Sequence, residues 1–209
     1  MIKRAIKNYI EKHILPIYDT FDKGHDSEHI NEVIERSLRY AKNIDESLNI
    51  DMVYVVAAYH DYGMQIERKG HNFHSGKLLR EDKNLKKWFN EEEIETMAQA
   101  VEDHSTSLNR EPRSIYGKIV CDADKDDNLD RSLTRALEFC LSHFKDNSKE
   151  QHFEDTFKQM CLKYGDNQLV KFYLKDSQSE EYLRNIKALT KNKDLAFKKF
   201  EELWLELNK

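Results

Sequence analysis

Hydrophobic side chains recur at helical spacing from the start of the chain. Apolar residues at intervals of three and four predict a first helix over residues 2–15 that ends near Pro16. A second amphipathic pattern predicts a helix that runs to about residue 43, with Asp26 or Ser27 as its N-cap. Both helices have one apolar face and one charged face, as expected for helices that pack on a core.

The middle of the chain carries a more apolar pattern. The run DMVYVVAAYHDYGM is apolar on more than one face, which predicts a buried central helix capped by Asp51 and ended by Gly63. A short helix is expected near 74–81. Asn90 followed by EEEIETMAQAVEDHS predicts an N-cap with acidic residues in the first turn, and residues 114–127 again show helical spacing.

Three or four more helical stretches follow, at roughly 129–144, 150–164 and 179–207. No repeat, low-complexity tract or flexible linker interrupts the chain, so the simplest interpretation is one all-α domain over residues 1–209. Composition agrees, because 209 residues with only 6 Gly and 2 Pro supply few of the residues that tight β-turns require.

Charge and cysteine content exclude several classes of function. A net charge of -5 argues against a broad nucleic-acid-binding face, although a local basic pocket remains compatible with it. No apolar run approaches the ~18 residues of a membrane span. The three cysteines are widely spaced and form no CxxC pair, so neither a disulfide framework nor a thiolate zinc site is expected, and a cytoplasmic location is the default expectation.

Histidines are concentrated in one part of the chain. Six of the nine lie between residues 25 and 104: His25, His29, His60, His71, His74 and His104.

Two of these histidines are expected to point inward. His29 lies beside the apolar stripe of its helix, and His60 shares a stripe with buried positions of the central helix and is followed by Asp61. In the later run CDADKDDNLD, either Asp122 or Asp124 can turn inward, and periodicity alone does not choose between them.

Each of these features has an ordinary structural explanation. A single histidine on an apolar helical face is usually a hydrogen-bonded core residue, and an acidic run is usually a solvated helix end. Their combination is more specific, because imidazoles and carboxylates from three inward-facing helices supply the mixed nitrogen and oxygen ligands of a divalent transition metal. A metal ion would also offset the cost of burying Asp61.

The order of these residues, a histidine, a His-Asp pair and a later aspartate, resembles the HD-domain superfamily of metal-dependent phosphohydrolases. GHDSEHINEVI resembles its opening helix, AAYHDYG its signature helix and CDADK its closing segment. The stretches HNFHSGKLLRED, FNEEEIETMAQAVEDHS and REPRSIYGKIV resemble a bacterial branch of the superfamily. The resemblance covers about residues 18–130 and implies an HD-domain-like helical bundle, with a helical cover over about 131–209.

The matching motifs imply a ligand set. The metal ligands would be His29, His60, Asp61 and Asp124. His29 rather than His25 matches the opening motif. Asp124 rather than Asp122 matches the closing pattern Ala-Asp-Lys/Arg, although the family usually continues with Leu where this chain has two further aspartates.

A second group of residues is implied less directly. Members of the superfamily with two metals recruit further histidines between the signature pair and the last aspartate, and members with one metal use such histidines on the substrate phosphate. The candidates for a substrate or second-metal role are His71, which is expected in a loop, His104, His25 and Lys125. A structural or surface role is the alternative for each of them.

The resemblance implies a metal-dependent phosphohydrolase that cleaves a small phosphate ester, such as a nucleotide, with a metal-activated water that Asp61 helps to orient. Imidazole ligands favour Mn, Fe, Ni, Co or Zn over Mg. The alternatives are a non-catalytic, metal-containing domain that binds a nucleotide or a partner protein, and a dinuclear phosphodiesterase. The expected partner is a small phosphorylated molecule, and the sequence leaves the oligomeric state open.

Overall fold

The computed structural model describes residues 1–22, 24–44, 47–105, 108, 110–166 and 169–207, which contain ten α-helices and no β-strand. The expectation of an all-α fold is therefore confirmed. The helices form two compact units, Met1–Lys125 and Asp126–Lys209. The expectation of a single domain over residues 1–209 stays a prediction. None of the described helices is long and apolar enough to cross a membrane.

The first unit contains six α-helices, with 3-10 turns between α1 and α2, between α3 and α4, and between α4 and α5. They are α1 Arg4–His13, α2 Ser27–Ile44, α3 Ile50–Tyr59, α4 His71–Glu81, α5 Glu91–Glu102 and α6 Ile115–Ala123. Helix α3 lies in the middle and packs against α2, α5 and α6. This arrangement explains why the run at residues 51–59 is apolar all round, since every one of those residues is buried.

The predicted N-cap residues are confirmed for two of three helices. Asp26 caps α2, because its Oδ1 accepts hydrogen bonds from the backbone N–H groups of Glu28 (3.0 Å) and His29 (3.1 Å). Asn90 and Glu93 form a reciprocal capping box at the start of α5. The prediction for α3 was wrong, since Asn49 rather than Asp51 is the N-cap and accepts from the Asp51 N–H.

Helix α3 ends at Tyr59, earlier than the predicted stop at Gly63. Gly63 lies close to α4, and a Cβ built on it would lie 2.3 Å from the carbonyl oxygen of His71. The N–H of Gly63 instead donates to the hydroxyl of Ser75 at 2.6 Å. The chain therefore leaves the helix between Tyr59 and Gly63, and the His-Asp pair lies in a turn rather than on a helical face.

Helix α4 begins earlier than predicted. It starts at His71 rather than near residue 74, directly after Gly70, whose φ of 75° lies in the left-handed region that glycine favours. His71 is thus the first residue of a helix, not part of a loop as expected. A helix start fixes its backbone more firmly than a loop would.

The second unit contains four α-helices: α7 Leu129–His143, α8 Lys149–Tyr164, α9 Ser177–Lys191 and α10 Lys193–Leu207. Its core includes Leu137, Phe153, Tyr182 and Phe200. The helical stretch expected over 179–207 consists of two helices, because Asn192 adopts an extended conformation between α9 and α10 and its side chain accepts from the N–H of Leu195.

Candidate metal centre

Six histidine and aspartate side chains from distant parts of the sequence lie close together in the first unit. His29 comes from the first turn of α2, His60 and Asp61 from the turn after α3, and Asp124 from the residue after α6. His71 opens α4, and His104 lies just past the end of α5. The ends of five helices therefore supply the cluster.

The four predicted metal ligands lie within a few ångströms of one another. The Nε2 of His60 is 3.1 Å from Asp61 Oδ2 and 3.6 Å from Asp124 Oδ1. The Nε2 of His29 is 3.2 Å from Asp124 Oδ1 and 3.9 Å from Asp61 Oδ2. His29, His60 and Asp61 are almost fully buried, whereas Asp124 is 27% exposed and forms the open side of the group.

The donor set fits a divalent metal. Both ring nitrogens of His29 and the Nε2 of His60 are buried and make no hydrogen bond, although carboxylate oxygens are near. A buried polar atom without a partner costs about 1–3 kcal/mol, so three such atoms in one place call for an explanation. Imidazole nitrogens and carboxylate oxygens around one point are the ligands of catalytic transition-metal sites.

The other ring nitrogen of His60 is held by the backbone. Its Nδ1 lies 2.8 Å from the carbonyl oxygen of Ala57. Because a carbonyl oxygen can only accept, Nδ1 carries a proton and Nε2 is the atom that faces the cluster. Metal-binding histidines commonly have this second contact, which orients the ring.

His71 and His104 form a second group on the opposite side of Asp61. Asp61 Oδ1 lies 3.0 Å from His71 Nε2 and 3.4 Å from His104 Nε2, and these two nitrogens are 3.1 Å apart. The Nδ1 of each ring again faces a backbone carbonyl three residues earlier, that of Arg68 or Val101. Asp61 therefore has one oxygen in each of two groups that could hold a metal ion.

The charges in the cluster are strongly coupled. Burial raises the pKa of Asp61, but the His60, His104 and His71 rings outweigh burial and hold that pKa well below its usual range. Asp124 behaves likewise, with its pKa lowered by His29 and His60 against the effect of burial.

The His60 ring responds in the opposite sense. Burial lowers the pKa of His60, yet Asp61 and Asp124 raise it to about 10 overall. Because an imidazole binds a metal only through a deprotonated nitrogen, metal binding at His60 should depend on pH.

Two predicted candidates lie outside the cluster. The Nδ1 of His25 is 2.8 Å from Asp22, and its ring centroid is 6.0 Å from that of His29. Lys125 is buried and its Nζ lies 2.8 Å from Asp122. The lysine therefore faces Asp122 rather than the histidines, and a substrate role for His25 or Lys125 stays a prediction.

The same contact separates the two aspartates that the sequence left open. Asp122 is the partner of Lys125, whereas Asp124 is the carboxylate beside His29 and His60. The geometry thus favours Asp124 as the last ligand. Asp126 and Asp127, which stand where the family pattern usually continues with Leu, lie in the second unit and form ion pairs with Arg131.

Sequence reasoning missed two arginines that support the cluster. Arg36 is buried, and its Nε donates to the carbonyl oxygen of Ala123 at 2.6 Å, next to Asp124. Its position seven residues after His29, on the same face of α2, was an available signal. Arg113 binds Asp103, the residue before His104, and no local sequence pattern predicts that contact.

Comparison with protein families gives one match. The family model of the HD domain matches residues 26–129, a span that includes all six clustered side chains. Searches of the curated proteins and of the solved structures find no match.

Proposed function

We propose that this chain, which belongs to the HD-domain superfamily through residues 26–129, is a metal-dependent phosphohydrolase that acts on a small phosphate ester. One observation carries the proposal. Ring nitrogens of His29 and His60 that lack hydrogen bonds converge with the carboxylates of Asp61 and Asp124. These four residues are the proposed ligands of one divalent ion.

A bound divalent ion would polarise a phosphoryl oxygen and lower the pKa of a coordinated water. The residues of the chain would contribute the rest of the chemistry. Asp61 is ionised because its pKa is held low, so its carboxylate can accept a hydrogen bond from a water and orient it. The pKa of His71 is raised, because the effect of Asp61 exceeds that of burial, so its ring can carry charge towards a phosphate.

The donor chemistry also limits the choice of metal. Imidazole nitrogens favour Mn, Fe, Ni, Co or Zn, and Mg prefers a site made of oxygen ligands and water. Nucleotides are the first substrate class to test, because the resemblance to the HD-domain superfamily implies a small phosphate ester such as a nucleotide.

A dinuclear phosphodiesterase is the second candidate. The observation that favours it is the division of Asp61, whose Oδ2 faces His60 while Oδ1 faces His71 and His104. A carboxylate in this position can bridge two metal ions, and paired ions stabilise both the attacking and the leaving oxygen of a phosphodiester.

Metal content and hydrolysis together test the proposal. Chelator-treated protein is reloaded with Mn, Co, Ni, Fe or Zn and assayed on nucleoside phosphates, sugar phosphates and a bis-aryl phosphodiester. We expect about one equivalent of metal and monoester hydrolysis, both lost in His60→Gln and Asp61→Asn. The matched control is Asp51→Asn, which removes a buried carboxylate that binds Lys3 outside the cluster.

Each other outcome contradicts the proposal in a different way. Two equivalents with diester cleavage, reduced to one in His104→Gln, would favour the dinuclear enzyme. Metal-loaded protein that hydrolyses no ester would favour a binding domain. Full activity in Asp61→Asn would refute the role of that residue.

A further inference from the structure

The residue that precedes His104 is unusually well bound. The Asp103 carboxylate is 1% exposed and accepts hydrogen bonds from the backbone N–H of Arg113 at 2.7 Å and from its Nε at 2.9 Å. The Nη2 of Arg113 lies 3.0 Å from the second oxygen, and the Nη2 of Arg110 lies 2.5 Å from that same oxygen. Two guanidinium groups therefore hold one buried carboxylate.

Arg113 also binds the end of α5. Its Nη2 donates to the carbonyl oxygen of Gln99 at 3.1 Å and to Glu102 at 2.6 Å. The last carbonyl groups of a helix lack intrahelical partners and carry partial negative charge, so a guanidinium there satisfies both needs. Through these contacts Arg113 is held against the last turn of α5.

His104 needs such support more than His29 does. His29 lies in the first turn of an 18-residue helix, whereas His104 lies two residues past the last residue of α5, after the C-cap Asp103. Its ring is nonetheless directed inward, with Nδ1 2.6 Å from the Val101 carbonyl oxygen and Nε2 3.4 Å from Asp61.

We propose that Asp103, held by the planar fork of Arg113, is a positioning residue that directs His104 towards Asp61 and His71. By placing the His104 ring, Asp103 would also complete the group of Asp61, His71 and His104 that could bind a metal or a phosphate. The effect on catalysis rests on the proposed function, but the geometric effect does not require a metal. A lysine cannot replace Arg113, because a single ammonium lacks the fork that spans both carboxylate oxygens.

The geometric effect can be measured in metal-free protein that contains all 209 residues. The readout is the solvent-exchange rate of the His104 Nδ1–H proton, assigned by its loss in His104→Gln. The reference in the same spectra is the Nδ1–H of His60, which donates to Ala57. Arg113→Gln, Arg113→Lys and Asp103→Asn should speed exchange at His104 by about tenfold or more while leaving the His60 rate unchanged.

The matched control is Arg80→Gln. Like Arg113, Arg80 binds Glu102 near the end of α5, and it also binds Glu95, but it does not contact Asp103. It should lower stability without a selective change at His104. Arg110→Gln removes only one of the contacts to Asp103, so it tests the proposal even where the larger changes unfold the protein; we expect a smaller selective increase at His104.

Equal rates at His104 in folded wild type, Arg113→Lys and Arg110→Gln would overturn the proposal, as would an equal increase at His60 and His104. In metal-loaded enzyme, Arg113→Lys should lower kcat more than Arg80→Gln does. A wild type that binds no metal and cleaves no ester would refute the proposed function, and the exchange data would still decide the role of Asp103.

Discussion

Replacing Asp61 by Asn should remove most of the stabilisation that a divalent metal gives to this protein. Asp61 is the only residue shared by the two metal-compatible groups found among the described residues. Asparagine preserves the shape of the side chain but removes the charge and leaves a weak amide oxygen as ligand. The prediction isolates metal binding, because it concerns the difference in melting temperature with and without metal.

The magnitude follows from ligand linkage. Metal at about 100 times its Kd stabilises the native state by ~2.7 kcal/mol. With an unfolding entropy of ~2.1 cal/mol/K per residue, the unit Met1–Lys125 should gain ~10 °C in Tm. If all 209 residues unfold together, the gain should be ~6 °C.

The variant should gain much less. If the loss of the ligand weakens binding about 100-fold, the same metal concentration equals the new Kd and contributes only RT ln 2, about 0.4 kcal/mol. The expected gain in Tm of Asp61→Asn is therefore ~1–2 °C.

Differential scanning calorimetry of chelator-treated protein, with and without Mn, measures both gains. The control Asp51→Asn removes another buried carboxylate of the same unit and should keep the full metal-dependent increase. An equal increase in wild type and Asp61→Asn would refute the reasoning, as would a wild type that none of the five transition metals stabilises.

Three further predictions concern stability. Gly63→Ala should cost about 1–3 kcal/mol or more, because its Cβ would meet the backbone of His71 at 2.3 Å; a urea midpoint equal to wild type would contradict this. Leu137→Ala should lower the free energy of unfolding of the second unit by about 2–5 kcal/mol, since its side chain is fully buried; chemical denaturation followed by circular dichroism measures the loss, and a change under 1 kcal/mol would argue against its core position. The hydrogen bond to Arg80 lowers the pKa of Glu95 to about 2. The stability that this pair contributes is fully present above the unfolded-state pKa near 4.5 and is lost as the pH falls towards 2. Arg80→Gln should therefore weaken the dependence of stability on pH between about 4.5 and 2. Identical pH profiles of stability for wild type and variant would exclude this pair as the source.

Local sequence patterns determined most of the helices of this protein. Helical spacing and capping residues are short-range signals, so Asp26 and Asn90 marked the starts of α2 and α5 correctly. The motif order also directed attention to His29 and to the His60-Asp61 pair. That the fold is all-α and belongs to the HD-domain superfamily was thus accessible without a structure.

Helix ends were less predictable where packing decides them. Gly63 lies so close to α4 that a side chain would not fit there, a contact that the residues of α3 do not reveal. An apolar stripe continues across Asn192, so one amphipathic pattern covers both α9 and α10. Asn192 itself is a local capping signal that marks the start of α10.

Only the tertiary structure decided how the cluster is assembled. His29 and Asp124 are far apart in sequence, yet their side chains lie 3.2 Å apart because α2 and α6 pack against the same central helix. The choice of Asp124 over Asp122 depends on Lys125, which pairs with Asp122. Local spacing indicates which face of a helix is apolar, but the convergence of several helix ends on Asp61 is a property of the packing between those faces.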